Sequence, residues 1–241
     1  MSERIQMMWA YLGSSPVLWL TFTLLCYLAA LQLYRRCNSN PLLLPVLTAV
    51  IVVVAVLMLT GTPYSVYAKS TQFLSFLIGP ATVALAVPLY TQFTRLKRIW
   101  WPVCVALTVG SATAVLSAIG IAWAFGATVE TLLSLAPKSA TMPIAMEVSL
   151  LTGGLPSFTT VAVAITGISG AMMAGSLLKL FRINDPAVEG FALGLSAHAI
   201  GTARAFQGSE MAGAFAALAM SLNCIATAIL VPLLLALAGY F

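Results

Sequence analysis

The chain has 241 residues, of which 61% are hydrophobic and only 7% carry a charged side chain. A soluble domain clothes its surface with about 25% charged residues, so a soluble fold is excluded. The net charge of +5 does not indicate nucleic acid, because the basic residues form short clusters between apolar runs and no phosphate-tracking surface.

Eight apolar segments follow one another, at about 16–34, 41–60, 69–92, 100–125, 127–152, 157–178, 186–206 and 209–238. Most reach the roughly 20 residues that a membrane-crossing helix needs. Strands of a membrane barrel alternate polar and apolar residues, and stretches such as Pro45 to Leu59 do not. The reading is therefore an all-α, polytopic transmembrane helix bundle in a single domain, residues 1–241. The first segment ends at Tyr34-Arg35-Arg36 without a small-x-small cleavage site, so it reads as a retained span rather than a signal peptide.

The third and fifth segments are interrupted. The third carries Gly79-Pro80 in its centre and the fifth carries Pro137-Lys138-Ser139-Ala140-Thr141-Met142-Pro143. A central proline removes a helix hydrogen bond and suits the first turn of a new helix, so each segment is expected to be two half-helices. Residues 74–86 and 133–145 share five identities in thirteen positions, centred on the two breaks. Paired broken segments are the pattern of a transporter built from internal repeats, with an elevator-like arrangement as the expectation.

Topology stays open at this level. The clusters Arg35-Arg36 and Arg95, Lys97, Arg98 fit the cytoplasmic side. Three segments then lie between Arg98 and Lys179. Either Lys179 and Arg182 lie outside, or 127–152 is a re-entrant hairpin. The last segment is long enough to tilt, or to break near Asn223.

Polar residues inside a membrane are costly and mark function by default. At the fifth break, Lys138, Ser139 and Thr141 open a half-helix whose positive end suits an anion. Thr82 opens the matching one in the third segment. The plainer alternative is that Ser139 and Thr141 only cap the helix while Lys138 snorkels to water. Glu147 and His198 are candidate proton carriers. Glu147 serves equally as the partner of Lys138 or Arg204 in an ion pair, and His198 as a packing residue. Gly194, His198, Gly201 and Ala205 are expected on one helical face, with Arg204 about 120° away. Arg204 suits a carboxylate or the membrane interface. Asn223 completes the set of substrate-binding candidates.

No nucleotide loop, His-x-x-x-His pair or Gly-x-Ser-x-Gly elbow occurs, so no enzyme, metal site or cofactor is expected. Cys26, Cys37, Cys104 and Cys224 form no CxxC pair and read as buried single thiols.

Four ordered stretches are similar to the LrgB/CidB family of bacterial membrane proteins. They are Gly79-Pro-Ala-Thr-Val-Ala-Leu-Ala-Val-Pro-Leu-Tyr90; Pro137-Lys-Ser with Pro143-Ile-Ala-Met-Glu147-Val-Ser149; His198-Ala-Ile-Gly-Thr-Ala-Arg-Ala205; and Ser221-Leu-Asn223 with Ile225-Ala-Thr-Ala228. Ala199 and Cys224 stand where the family pattern leads one to expect glycine, which puts the helix packing there in doubt. The resemblance implies a multi-pass protein of the bacterial cytoplasmic (inner) membrane and two functional accounts. One is a holin- or antiholin-like regulator of murein hydrolase export and autolysis, acting with a small LrgA/CidA-type partner. The other, from related plastid glycolate/glycerate carriers and pyruvate-linked members, is transport of small monocarboxylates.

Two broken segments and a buried Lys/Glu/His/Arg set exceed what a simple lesion-forming protein requires. The expectation is therefore a proton- or gradient-linked carrier of pyruvate, lactate, glycolate or a similar acid, and a homodimer by analogy with carriers that move a substrate domain.

Overall fold

The computed structural model describes residues 15–37, 40, 43–84, 90, 93–237 and 239, without the side chains of Ser75, Ile78, Ala81, Thr82, Arg95 and Leu96. The described residues form helices and no strand. Two compact units, Met1–Ala84 and Leu85–Phe241, are each internally packed.

The first unit holds α1 (Pro16–Arg36), α2 (Pro45–Thr60), α3 (Tyr64–Ser70) and α4 (Gln72–Ala84). Proline opens both α1 and α2, where its missing N–H and preset φ cost nothing. Gly61 ends α2 in the left-handed conformation, at φ 63°, which a glycine adopts without strain. Trp19, only 1% exposed, is the largest buried side chain among the unit's described residues and meets Phe22 and Tyr67 edge-on, at 5.9 and 5.8 Å. Helix α4 runs without interruption through Gly79 and Pro80. The half-helix break expected there is therefore absent, since a proline can be kept inside a helix when neighbouring groups take up the lost bond.

The second unit holds α5 (Phe93–Arg98), α6 (Trp100–Ala124), α7 (Val129–Leu135), α8 (Met142–Thr152), α9 (Pro156–Leu180), α10 (Pro186–Gly208) and α11 (Glu210–Leu237). Helices α1, α6, α9 and α11 are long and apolar enough to cross a membrane. Helix α6 turns Val105, Val109, Leu116 and Ile121 outward, as a lipid-facing helix does. Helix α11 continues past Asn223 to Leu237 without a break there.

The segment 127–152 does not cross. Thr159 Oγ1 donates to the Ser134 carbonyl at 2.9 Å and to Ser149 Oγ at 2.8 Å. On one continuous helix Ser134 and Ser149 would stand roughly 22 Å apart, so α7 and α8 fold back on each other. The turn between them spans Ala136 to Thr141. Gly153 closes α8 in the left-handed conformation, and the Leu155 amide donates to Ser134 Oγ at 2.7 Å. Pro156 then starts α9 at once.

The segment 186–206 does not cross either. His198, at φ 41° and ψ −130°, splits α10 into arms 186–197 and 199–208. The Leu193 carbonyl lies against Gly201 so closely that a β-carbon on the glycine would overlap it. Residues eight apart on a helix would be roughly 12 Å apart, so the second arm reverses. The expected common face of Gly194, His198, Gly201 and Ala205 is therefore not a helix face, although all four are buried. The 133–145 hairpin thus has no counterpart in the helical stretch 74–84; the segment sharing its fold-back shape is 186–208.

The two hairpins enter from opposite ends. At one end Val115 of α6, Leu133 and Ala136, Val148, and Val231 and Leu235 of α11 form one apolar cluster. At the other, Val103 of α6, Ala187 of α10, and Phe215 and Leu218 of α11 form another. Between Arg98 and Lys179 two helices, α6 and α9, are long and apolar enough to cross. Lys97, Arg98, Lys179 and Arg182 all belong to the end from which α10 enters. Of the two topologies left open, the fold-back of 127–152 fits the re-entrant one.

Packing around α11 explains why α10 folds as it does. Residues Ala212 to Met220 are buried without exception, and six of these nine are Ala or Gly. Gly190 and Gly194 of the first arm lie directly against the Ala212 and Ala216 backbone. Phe206 of the second arm lies over Gly213. Small residues let helices approach this closely in a membrane.

Candidate functional site

The two hairpin tips meet beside the middle of α11. The first tip is the turn at Pro137, Lys138, Ser139 and Ala140, followed by Thr141 as the N-cap of α8. Proline at the second helical position has no N–H to leave unpaired. The amides of Met142 and Ile144 remain without an intrahelical acceptor, and the Thr141 side chain makes no capping bond to them. Its hydroxyl instead faces Cys224 Sγ at 3.2 Å.

The second tip is held by the histidine. His198 is 4% exposed, and its Nε2 lies 3.0 Å from the Val163 carbonyl of α9. Gly167 makes that reach possible: a β-carbon there would stand 2.5 Å from the imidazole Cε1. Val163 in turn packs with Ala140 and Ala145 at the start of α8, next to Cys224. The starts of α8 and of the second α10 arm therefore converge on one place. Each presents the positive end of a helix dipole.

Asn223 occupies the centre. It is 1% exposed and bonds to Ser111 of α6, to the Ser139 carbonyl and to the Leu195 carbonyl. Lys138 is half-buried on the flank of α9, at a cavity of ≈ 240 Å³ that it lines with Leu135, Phe158, Val161, Ala162, Ile165 and Thr166.

The structure thus brings together Ser139, Thr141, His198 and Asn223, with Lys138 adjoining. Within this unit it leaves Glu147 and Arg204 apart from the tips. Glu147 is exposed on α8, five residues or roughly 8 Å beyond the helix start, and makes no ion pair with Lys138. Arg204 is half-buried on the second α10 arm, its Nη2 near Gly175, about 9 Å of helix away from the tip. Thr82 lies in α4 of the other unit, with its side chain outside the described residues. Pro137 is buried in the first tip, and Pro143 sits in the first turn of α8.

Sequence reasoning missed Ser111 and the hydroxyl set Ser134, Ser149 and Thr159. Their partners are distant in sequence: Ser111 meets Asn223 where α6 packs on α11, and Ser134, Ser149 and Thr159 meet only because α7 and α8 fold back beside the start of α9. The thiols also differ from expectation: Cys37 and Cys104 are exposed, Cys26 and Cys224 partly buried. Ala199, where glycine was expected, is exposed at the tip and narrows no helix contact.

The family model described as LrgB-like family matches residues 23–237. The chain is 37% identical over 211 residues to the uncharacterized protein YxaC of Bacillus subtilis, covering 88% of this chain and 91% of that one. It is 36% identical over 216 residues to the uncharacterized protein YwbG of the same organism, covering 90% and 96%. It is 29% identical over 225 residues to the antiholin-like protein LrgB of Bacillus cereus, covering 93% and 98%. No solved structure matches.

Proposed function

This chain belongs to the LrgB-like family of multi-pass membrane proteins, and we propose that it is a carrier of small monocarboxylates such as pyruvate, lactate or glycolate. The observation that carries the reading is the meeting of two re-entrant hairpins, entering from opposite ends, beside Asn223. Half-helix starts at mid-membrane are the usual place for an anionic substrate group in secondary transporters. Here the starts of α8 and of the second α10 arm, with the hydroxyls of Ser139 and Thr141, form the cradle. Lys138 adds the countercharge from beside α9. His198, the chain's only histidine, is the proton carrier that couples uptake to a gradient, with Glu147 the alternative. The basic end formed by Lys97, Arg98, Lys179 and Arg182 faces the cytoplasm by the positive-inside rule, in the bacterial inner membrane. The carrier works as a homodimer.

One observation favours a second reading. Relatives in Bacillus cereus bear the name antiholin-like protein LrgB, which points to control of autolysis together with an LrgA/CidA-type partner. Purified protein in liposomes separates the two. Uptake of labelled pyruvate, lactate and glycolate is followed under an inward proton gradient, with release of a trapped large dye in parallel. Saturable uptake without dye loss is the expected result. Dye loss without saturable uptake overturns the carrier reading.

A further inference from the structure

Asn223 uses its carboxamide on three separate elements. Ser111 Oγ of α6 donates to Oδ1 at 2.6 Å. Nδ2 donates to the Ser139 carbonyl at 2.9 Å and to the Leu195 carbonyl at 3.2 Å. The orientation of the amide follows from chemistry alone. Two carbonyls only accept, so they select the Nδ2 edge, and a hydroxyl that donates selects Oδ1. Both carbonyls lie where helices stop. Ser139 is in the turn before α8, and Leu195 is in the last turn of the first α10 arm, where the break at His198 removes its usual acceptor role toward the next turn. One side chain thus satisfies an orphan carbonyl on each of two hairpins that enter from opposite ends.

We infer that Asn223 is a positioning residue that clamps the two hairpin tips together, with Ser111 holding the amide in its productive orientation, so that the carboxylate cradle exists only while the clamp is closed. This rests on the carrier reading above. Asn223 was a candidate substrate ligand from sequence; its polar edges are engaged by protein, and its contribution to substrate binding runs through the tips. Replacing it with aspartate turns the donor edge into an oxygen facing two carbonyl oxygens, which repels both tips. Replacing Ser111 with alanine leaves the amide in place but frees it to rotate.

The test uses full-length protein in liposomes with Cys26, Cys37 and Cys104 changed to serine, leaving Cys224 as reporter. Its thiol lies against Thr141 of the first tip, so maleimide labelling without substrate reads whether that tip is docked. In N223A, N223D and the milder S111A, labelling is expected to accelerate and saturable lactate uptake to fall, by at least about tenfold in N223D, the scale of a lost buried hydrogen bond. Loss of uptake in N223A with unchanged labelling, and an S111A variant like the parent, would make Asn223 a direct ligand and overturn the clamp. Unchanged labelling and uptake in all three overturns it as well. If the parent takes up none of the acids while N223A labels faster, the clamp stands and the carrier reading fails.

Discussion

The carbonyl oxygen of Leu193 rests on the α-carbon of Gly201, eight residues later in the same stretch of chain, with no space for a β-carbon between them. That contact exists only because α10 turns back at His198. Gly201→Ala should therefore destabilise the protein by about 1–3 kcal/mol through overpacking against backbone. Gly194→Ala, which meets the Ala216 backbone, should do the same. Gly120→Ala is the control: nothing lies within 4 Å of its added β-carbon, and alanine favours a helix over glycine. Thermal unfolding of detergent-solubilised protein checks this, and equal melting temperatures for all three variants would contradict the hairpin.

His198 carries two roles that separate by substitution. Its φ of 41° is a conformation that strains any residue but glycine, by about 1–3 kcal/mol. Its imidazole contributes the bond to Val163. His198→Gly loses the bond and relieves the strain, whereas His198→Ala loses the bond and keeps it. The glycine variant should melt higher than the alanine variant, and both should lose gradient-driven uptake. An alanine variant that melts at or above the glycine variant would exclude strain at the tip.

Thr141 Oγ1 lies 3.2 Å from Cys224 Sγ, close enough for small movements to reach disulfide geometry. Thr141→Cys should crosslink to the native Cys224 on mild oxidation, and reductant should reverse it. Mass spectrometry of the linked peptides gives the answer. Failure to crosslink would place the first tip away from α11.

With both hairpins re-entrant, residues on either side of α9 lie at opposite faces of the membrane. Cysteines at Glu130 and Arg182, in a background without native cysteines, should react with an impermeant maleimide from opposite sides of oriented vesicles. A cysteine at Gly208 should behave as Arg182 does. Reaction at positions 130 and 182 from the same side would mean that 127–152 crosses the membrane, and reaction at positions 182 and 208 from opposite sides would mean that 186–208 does.

Lys138→Ala should abolish saturable monocarboxylate uptake while the protein still inserts and remains monodisperse. Lys138→Arg, which keeps the charge, should retain part of it. Normal kinetics in the alanine variant would remove Lys138 from the site.

Several features of the fold are legible in the sequence alone. The break at Pro137 to Pro143 is visible because proline acts through its own backbone, so a local signal reports a local consequence. The Gly79-Pro80 pair misleads for the complementary reason: α4 keeps its helix across the proline, because the cost of one lost bond depends on neighbours that the local sequence does not show. The break at His198 carries no such signal. Neither glycine nor proline stands there, and what holds the residue at positive φ is the Val163 carbonyl and the space left by Gly167, more than thirty residues away.

Sequence by itself determined that the chain lies in a membrane, that it is helical, that its basic clusters lie between apolar runs, and that Lys138, Ser139, Thr141, His198 and Asn223 deserve suspicion. These follow from the transfer energy of each segment and from the cost of a polar group in lipid, both additive along the chain. Only the tertiary structure decided which apolar segments cross and which fold back. Lipid solvates a crossing helix and a hairpin arm equally well, so the choice falls to close packing against the Ala- and Gly-rich turns of α11 and to an amide that caps two distant carbonyls. Those energies arise between residues far apart in sequence.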